Sequence, residues 1–157
     1  MSRSGADLAL LLLGGFRALA DRATAELADR GYEDFRPVHD FAMRAIQSGA
    51  ESASDLGRRM SVTKQSAAKT IATLEERGYV AREPDAVDRR RMRLIVTERG
   101  LALLREGESI FDEMRAQWER QVGAGVVASL EGALQNLVGD GAIRLDAPGW
   151  SVRDLDP

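Results

Sequence analysis

Apolar residues near the N-terminus recur at helical intervals. Leu8, Leu12, Phe16, Leu19, Ala23 and Leu27 follow one another by three or four positions, which predicts a first helix of roughly twenty-odd residues with Arg30-Gly31 as its C-cap. Leu8 to Leu13 is apolar on every side, more than one contact face can use, and burial between two copies of the chain is the simplest explanation. Gly14-Gly15 inside this helix marks either a close-packing point or a bend. The segment also imitates a secretory signal, with a basic start and Ala18-Leu19-Ala20 as a small-x-small site. Asp7 and Arg17 bracket an apolar run too short to span a membrane, and the helical period continues through the cleavage site, so an amphipathic helix is the better reading.

The pattern then repeats in shorter units. Pro37 suits a first helical turn, and Val38, Phe41, Ala42, Ala45 and Ile46 form one apolar face, with Asp40 and Arg44 paired in solvent opposite. His39 sits at the edge of that face beside Met43. A boundary histidine is the plain reading, with hydrogen bonding in a pocket the alternative. Gly49 stops this helix, and Ser52 to Asp55 caps a short third one with Ala53, Leu56 and Met60 inward. A fourth begins at Thr63, burying Ala67, Thr70, Ile71 and Leu74 and turning Gln65, Lys69, Ala72 and Glu76 outward. Helices three and four are joined so tightly that they make a helix-turn-helix.

After the stop at Gly78, Tyr79 to Arg82 reads as a strand, Pro84-Asp85 as a turn, and Met92, Leu94 and Val96 as inward positions of a return strand. Thr97 caps a long helix in which Leu104, Phe111 and Trp118 recur at intervals of seven, with Leu101 and Met114 on the same side and Glu108 interrupting. Gly123 and Gly125 break the chain before a last amphipathic helix carrying Val127, Leu130, Leu134, Leu137 and Val138. From Gly139 onward Gly, Pro and Asp dominate, which predicts an exposed tail with Trp150 anchored or free.

Charge changes this picture more than composition does. The whole chain of 157 residues has a net charge of only -3, yet Arg58 to Arg93 holds ten Lys/Arg against five Asp/Glu, a local net of +5. Both flanks are acidic. A basic module between acidic flanks focuses phosphate attraction on one face. The absence of cysteine removes disulfides, thiolate metal sites and a thiol redox switch, and is compatible with the cytoplasm. The sequence also lacks a metal-ligand set, a phosphate-cradling glycine loop and a nucleophile with a paired base, so neither enzyme chemistry nor a metal or cofactor is expected.

The chemistry of the fourth helix fits DNA. Gln65 matches adenine, Lys69 can donate to guanine, and Ala68 leaves room for a thymine methyl. Lys64, Thr63, Ser66 and the free amides of the first turn suit phosphate, and Arg58 follows outward on the preceding helix. Arg89, Arg90 and Arg91 crowd a loop tip suited to the minor groove. Asp88 among them reads as positioning an arginine through charge-assisted hydrogen bonds.

Residues 37 to 100 carry Val-Thr-Lys-Gln-Ser, Leu-Glu-Glu-Arg-Gly-Tyr-Val, Asp-Arg-Arg-Arg and Leu-Ile-Val-Thr-Glu-Arg-Gly in order. They resemble the winged helix-turn-helix of MarR-type (multiple antibiotic resistance) regulators. The family's wing Asp-x-Arg falls on Asp88 and Arg90. The resemblance implies a homodimeric transcription regulator, usually a repressor, on palindromic double-stranded DNA. It also implies a pocket between reading head and dimer helices for a small aromatic or amphipathic effector, which helix faces place near Phe16, His39 and Trp118. The expected fold is mainly α with a small β wing, in one domain. Its parts are an N-terminal dimerisation helix (1–31), the winged helix-turn-helix (32–97), C-terminal dimerisation helices (98–139) and a tail (140–157). A winged-helix protein-interaction or assembly module is the alternative, since the fold alone does not fix function.

Overall fold

A computed structural model describes residues 4–139; the predicted tail and Trp150 lie outside the described residues. Six helices and one hairpin follow in the order α1 (Gly5–Asp29), α2 (Pro37–Gln47), α3 (Ala53–Met60), α4 (Lys64–Glu76), β1 (Val80–Pro84), β2 (Met92–Val96), α5 (Glu98–Val122) and α6 (Ala124–Val138).

The helix boundaries follow local chemistry. Ser4, Ser52, Thr63 and Thr97 each accept an N–H from the first turn of the helix they precede. Gly31, Gly49 and Gly78 take positive φ just beyond helix ends, where a side chain would be strained. Gly123, at φ 97°, separates α5 from α6. Gly125, expected to break the chain as well, instead lies inside α6, because one positive-φ residue suffices for the turn.

The core gathers Met43, Leu56, Met60, Ile71, Leu74, Leu103 and Ile110, all essentially without solvent contact. It joins the head (α2 to α4 with the hairpin) to the middle of α5. The strands pair antiparallel from Val80↔Val96 to Pro84↔Met92. Leu94 points into the core and Val96 packs against it, but Met92 is 53% exposed. The inward alternation expected of Met92 fails because the hairpin has already left the core at its last ladder pair.

α5 buries a face offset from the heptad stripe: Leu104 and Met114 of that stripe are in the core, but Phe111 and Trp118 are not. Gly100, Leu103, Leu104, Gly107, Ile110 and Met114 are buried, whereas Phe111 and Trp118 are 38% and 41% exposed. The three-and-four spacing of the buried set follows the natural pitch of one helix against a globular core; a seven-residue seam needs a parallel partner helix. α1 shows a similar division. Ala23 and Leu27 are buried, while Leu8, Leu10, Leu11 and Leu19 face outward, and most of the apolar side of α6 is open too. Ion pairs tie α5 to its neighbours: Arg30 at the end of α1 reaches Glu106 at 2.7 Å, and Arg44 of the head bridges Asp40 (2.7 Å) to Glu108 (3.2 Å) on α5.

Candidate nucleic-acid interface

The turn between α3 and α4 is built by two backbone constraints. Ser61 is left-handed (φ 55°), and Gly57 lets the chain fold back tightly, since a Cβ there would lie 2.9 Å from the Val62 carbonyl oxygen. This fold-back sets the start of α4 outward. Thr63 Oγ1 accepts the Ser66 N–H at 3.0 Å, so its hydroxyl caps the helix and keeps its own proton to donate. Lys64, Gln65, Ala68 and Lys69 are exposed and Ser66 is half-buried. The cap takes up the backbone amide of Ser66, so it is not among the free amides of the first turn.

Ion pairing sorts the basic residues into two groups. Arg82 is held by Glu75 at 2.8 Å, Arg93 by Glu83 at 2.6 Å and Arg58 by Asp55 at 2.9 Å. Arg59 turns back to the Ser48 carbonyl oxygen at the end of α2, where a cation complements the helix dipole. Arg77 donates to the Asp34 carbonyl oxygen at 3.0 Å. Lys64, Lys69, Arg89, Arg90 and Arg91 make no salt bridge among the described residues. Those five lie on the first two turns of α4 and at the wing tip.

The wing stands on the end of α4. Thr97 donates its N–H to the Tyr79 carbonyl oxygen (3.0 Å) and its hydroxyl to that of Gly78 (2.6 Å), while Thr97 Oγ1 also caps α5. Reading helix, wing and α5 thus meet at one residue. At the tip, Asp88 Oδ1 accepts the backbone N–H of Arg90 at 3.1 Å. The expected positioning of an arginine by Asp88 therefore acts on the Arg90 backbone, and the guanidinium stays outside the bond. Asp85, read from the sequence only as part of a turn, accepts the N–H groups of both Val87 (2.8 Å) and Asp88 (2.9 Å). Those bonds, with Arg93 and Arg91 nearby, hold its carboxyl below the usual carboxylate range.

The three residues predicted to share an effector pocket do not line one cavity. Phe16 stacks on Phe41, with centroids 6.5 Å apart, in an apolar cleft of about 190 Å³ that also takes in Leu27, Phe35, Arg44 and Phe111. His39 is buried and lines a separate groove behind α4 with Lys69 and Arg77. Its Nδ1 accepts the Arg36 N–H at 3.1 Å, which makes it a cap for the start of α2. Trp118 lines neither. Phe41 and Phe111 were legible only as positions on helix faces; that the faces of α1, α2 and α5 converge is a tertiary fact.

A helix-turn-helix whose second helix carries an exposed polar start, followed by a basic hairpin, defines a winged helix-turn-helix protein. The sequence model of the MarR family matches residues 43–91, from α2 through the wing tip. The Mycobacterium tuberculosis MarR family protein Rv2887 is 25% identical and superposes with a TM-score of 0.63 over 87% of this chain and 97% of its own. CouR from Rhodococcus jostii RHA1, bound to p-coumaroyl-CoA, is 21% identical with a TM-score of 0.61 over 90% of this chain and 99% of that one. A mutant of MepR from S. aureus, bound to an oligodeoxyribonucleotide, is 19% identical with a TM-score of 0.60 over 83% and 95%. The chain thus shares the fold of these MarR-family proteins, and its residues 43–91 match the family's sequence model. Among the described residues no helix is long and apolar enough to cross a membrane, and no three His, Cys, Asp or Glu side chains are grouped to hold a metal ion.

Proposed function

We propose that this chain is a homodimeric repressor that binds an inverted repeat in duplex DNA in the cytoplasm and is released by a small, largely apolar effector. The observation that carries the DNA reading is the sorting of charge. Basic residues elsewhere in the head are held by acids or carbonyl groups, whereas Lys64, Lys69 and Arg89 to Arg91 are left for phosphates and base edges. In this reading Gln65, Ala68 and Lys69 meet bases, Thr63, Lys64 and Ser66 meet the backbone, the wing arginines enter the minor groove, and Arg58, 78% exposed, reaches the backbone only by leaving Asp55. MepR bound to an oligodeoxyribonucleotide supports it by analogy.

Dimerisation would cover the outward leucines of α1 and the open side of α6. It would set two reading helices about 34 Å apart, one turn of DNA. The cleft of Phe16, Phe41 and Phe111 suits a flat apolar group with one polar end toward Arg44, and CouR with p-coumaroyl-CoA is a precedent in this fold. Phe35 lines that cleft and packs edge-on against Tyr79, 6.4 Å away, where α4 meets β1. An occupant that moved Phe35 would therefore press on the reading helix and wing together.

The test is a mobility shift with DNA from upstream of the chain's own reading frame, run against mixed-sequence duplex over a range of salt. Specific binding that weakens steeply with salt is expected. Equal binding to both duplexes would leave the protein-interaction module as the better reading.

A further inference from the structure

The wing tip carries two carboxylates among its arginines, which is unfavourable for a surface that meets phosphate. Their bonds give the reason. Asp85 donates its N–H to the Arg91 carbonyl oxygen (2.8 Å), closing the base of the loop, and the Arg91 N–H donates to the Asp88 carbonyl oxygen (2.9 Å). Inside that ring Asp85 Oδ1 takes the amides of Val87 and Asp88. Asp88 in turn takes the amide of Arg90. With three amides bound inward, Val87 to Arg91 are all exposed, and the guanidiniums of Arg89 and Arg90 have no ion pair among the described residues.

We propose that Asp85 is the positioning residue of the wing: it clamps the loop backbone so that Arg89 and Arg90 are presented to DNA in one arrangement. The proposal rests on the DNA-binding reading above and adds a residue to it. The resemblance to the MarR family places the wing aspartate at Asp88, which holds one amide, whereas Asp85 holds two and closes the ring through its own N–H. The carboxylate stays ionised across the neutral range, because the bonds and neighbouring arginines favour its charged form. Its bonds to the amides are charge-assisted and correspondingly strong. Ordering the tip beforehand spares the complex the entropy of fixing it on DNA.

The charge of Asp85 gives the test its sign. If Asp85 acted only as a negative charge beside phosphate, removing it in any way would tighten DNA binding. A clamp predicts a split. Asp85→Ala loses the acceptor and should weaken binding to upstream duplex by about tenfold to thirtyfold, the equivalent of about one to two ordinary hydrogen bonds. Asp85→Asn keeps an Oδ1 acceptor, sheds the charge, and should bind within about threefold of the unaltered chain by the same reckoning. Amide exchange supplies a readout independent of DNA: Val87 and Asp88 should exchange faster in Asp85→Ala and remain protected in Asp85→Asn, with the helical circular dichroism spectrum unchanged in both. If Asp85→Ala binds as tightly as Asp85→Asn, or keeps both amides protected, the clamp is overturned. If the unaltered chain binds no duplex at all, the DNA reading fails, and the exchange measurement alone decides whether Asp85 holds the loop.

Discussion

Gly100→Ala should disconnect the wing from its support. Gly100 lies in the first turn of α5 directly beneath the start of β1. A Cβ there would sit 2.3 Å from the Tyr79 carbonyl oxygen and 2.7 Å from Val96 Cγ1. Unbonded heavy atoms are best separated by about 3.5 Å, so roughly 1 Å of movement is forced. The atom struck is backbone, which cannot rotate away. Overpacking of this kind costs about 1 to 3 kcal/mol. The displaced Tyr79 oxygen also accepts the Thr97 N–H at 3.0 Å, and losing that bond adds about 1 kcal/mol. The expected destabilisation is therefore about 2 to 4 kcal/mol. Gly107→Ala supplies the control, because it lies in the same helix, is buried, and would meet nothing within 4 Å. It should gain up to about 1 kcal/mol of helix propensity. Urea denaturation at one fixed protomer concentration measures both, since a dimer's stability depends on concentration. Opposite signs are expected; a Gly100→Ala midpoint equal to that of Gly107→Ala would refute the contact argument and with it the claim that α5 fixes the wing.

Arg90→Ala should weaken binding to every duplex alike and make its logarithmic salt slope shallower by about one ion, whereas Gln65→Ala should lose about 1 to 3 kcal/mol of discrimination at one base pair; a salt titration and selection from random duplexes separate the two. Phe41→Ala should abolish release of DNA by aromatic acids while Trp118→Ala leaves it intact, because only Phe41 lines the cleft; a competition binding assay that found the reverse would move the effector elsewhere. Arg115 on α5 grips Glu131 on α6 at 2.7 Å, which holds the Glu131 carboxyl below its ordinary value of 4.5. A depressed carboxylate stabilises the fold above its unfolded value and ceases to do so as pH falls through the folded one. Docking of α6 should accordingly loosen below pH 4.5, as faster amide exchange in α6, and Glu131→Gln should remove that step.

Helix existence and helix ends were legible because their causes are local. Ser52, Thr63 and Thr97 cap the helices they precede, and Gly31 and Gly78 follow the ends they mark. Which face of a helix is buried was legible only where a single neighbour decides it. In α4 the three-and-four stripe of Ala67, Ile71 and Leu74 is the core face. In α5 two apolar stripes compete, since Leu103 and Ile110 form one while Phe111 and Trp118 lie along another. Periodicity ranks them equally. The core of the head takes the first, and the second is left outward, partly over the cleft at Phe111.

The site divides along the same line. That the start of α4 would be exposed and the wing basic could be read directly, because polar spacing and charge density belong to the sequence. Which cations stay available could not, since it depends on Glu75 reaching Arg82 and Glu83 reaching Arg93 across the register of the hairpin. The wing carboxylates show the limit most sharply. From the sequence an aspartate beside arginines reads as a partner for a guanidinium, the strongest pairing its neighbours offer. In a tight loop, however, the backbone N–H groups lie closer to the carboxylate than any long side chain can be held at comparable entropic cost, and they have no ladder partner of their own. Asp85 and Asp88 therefore go to the amides of Val87, Asp88 and Arg90, and the arginines keep their charge for a partner outside the chain.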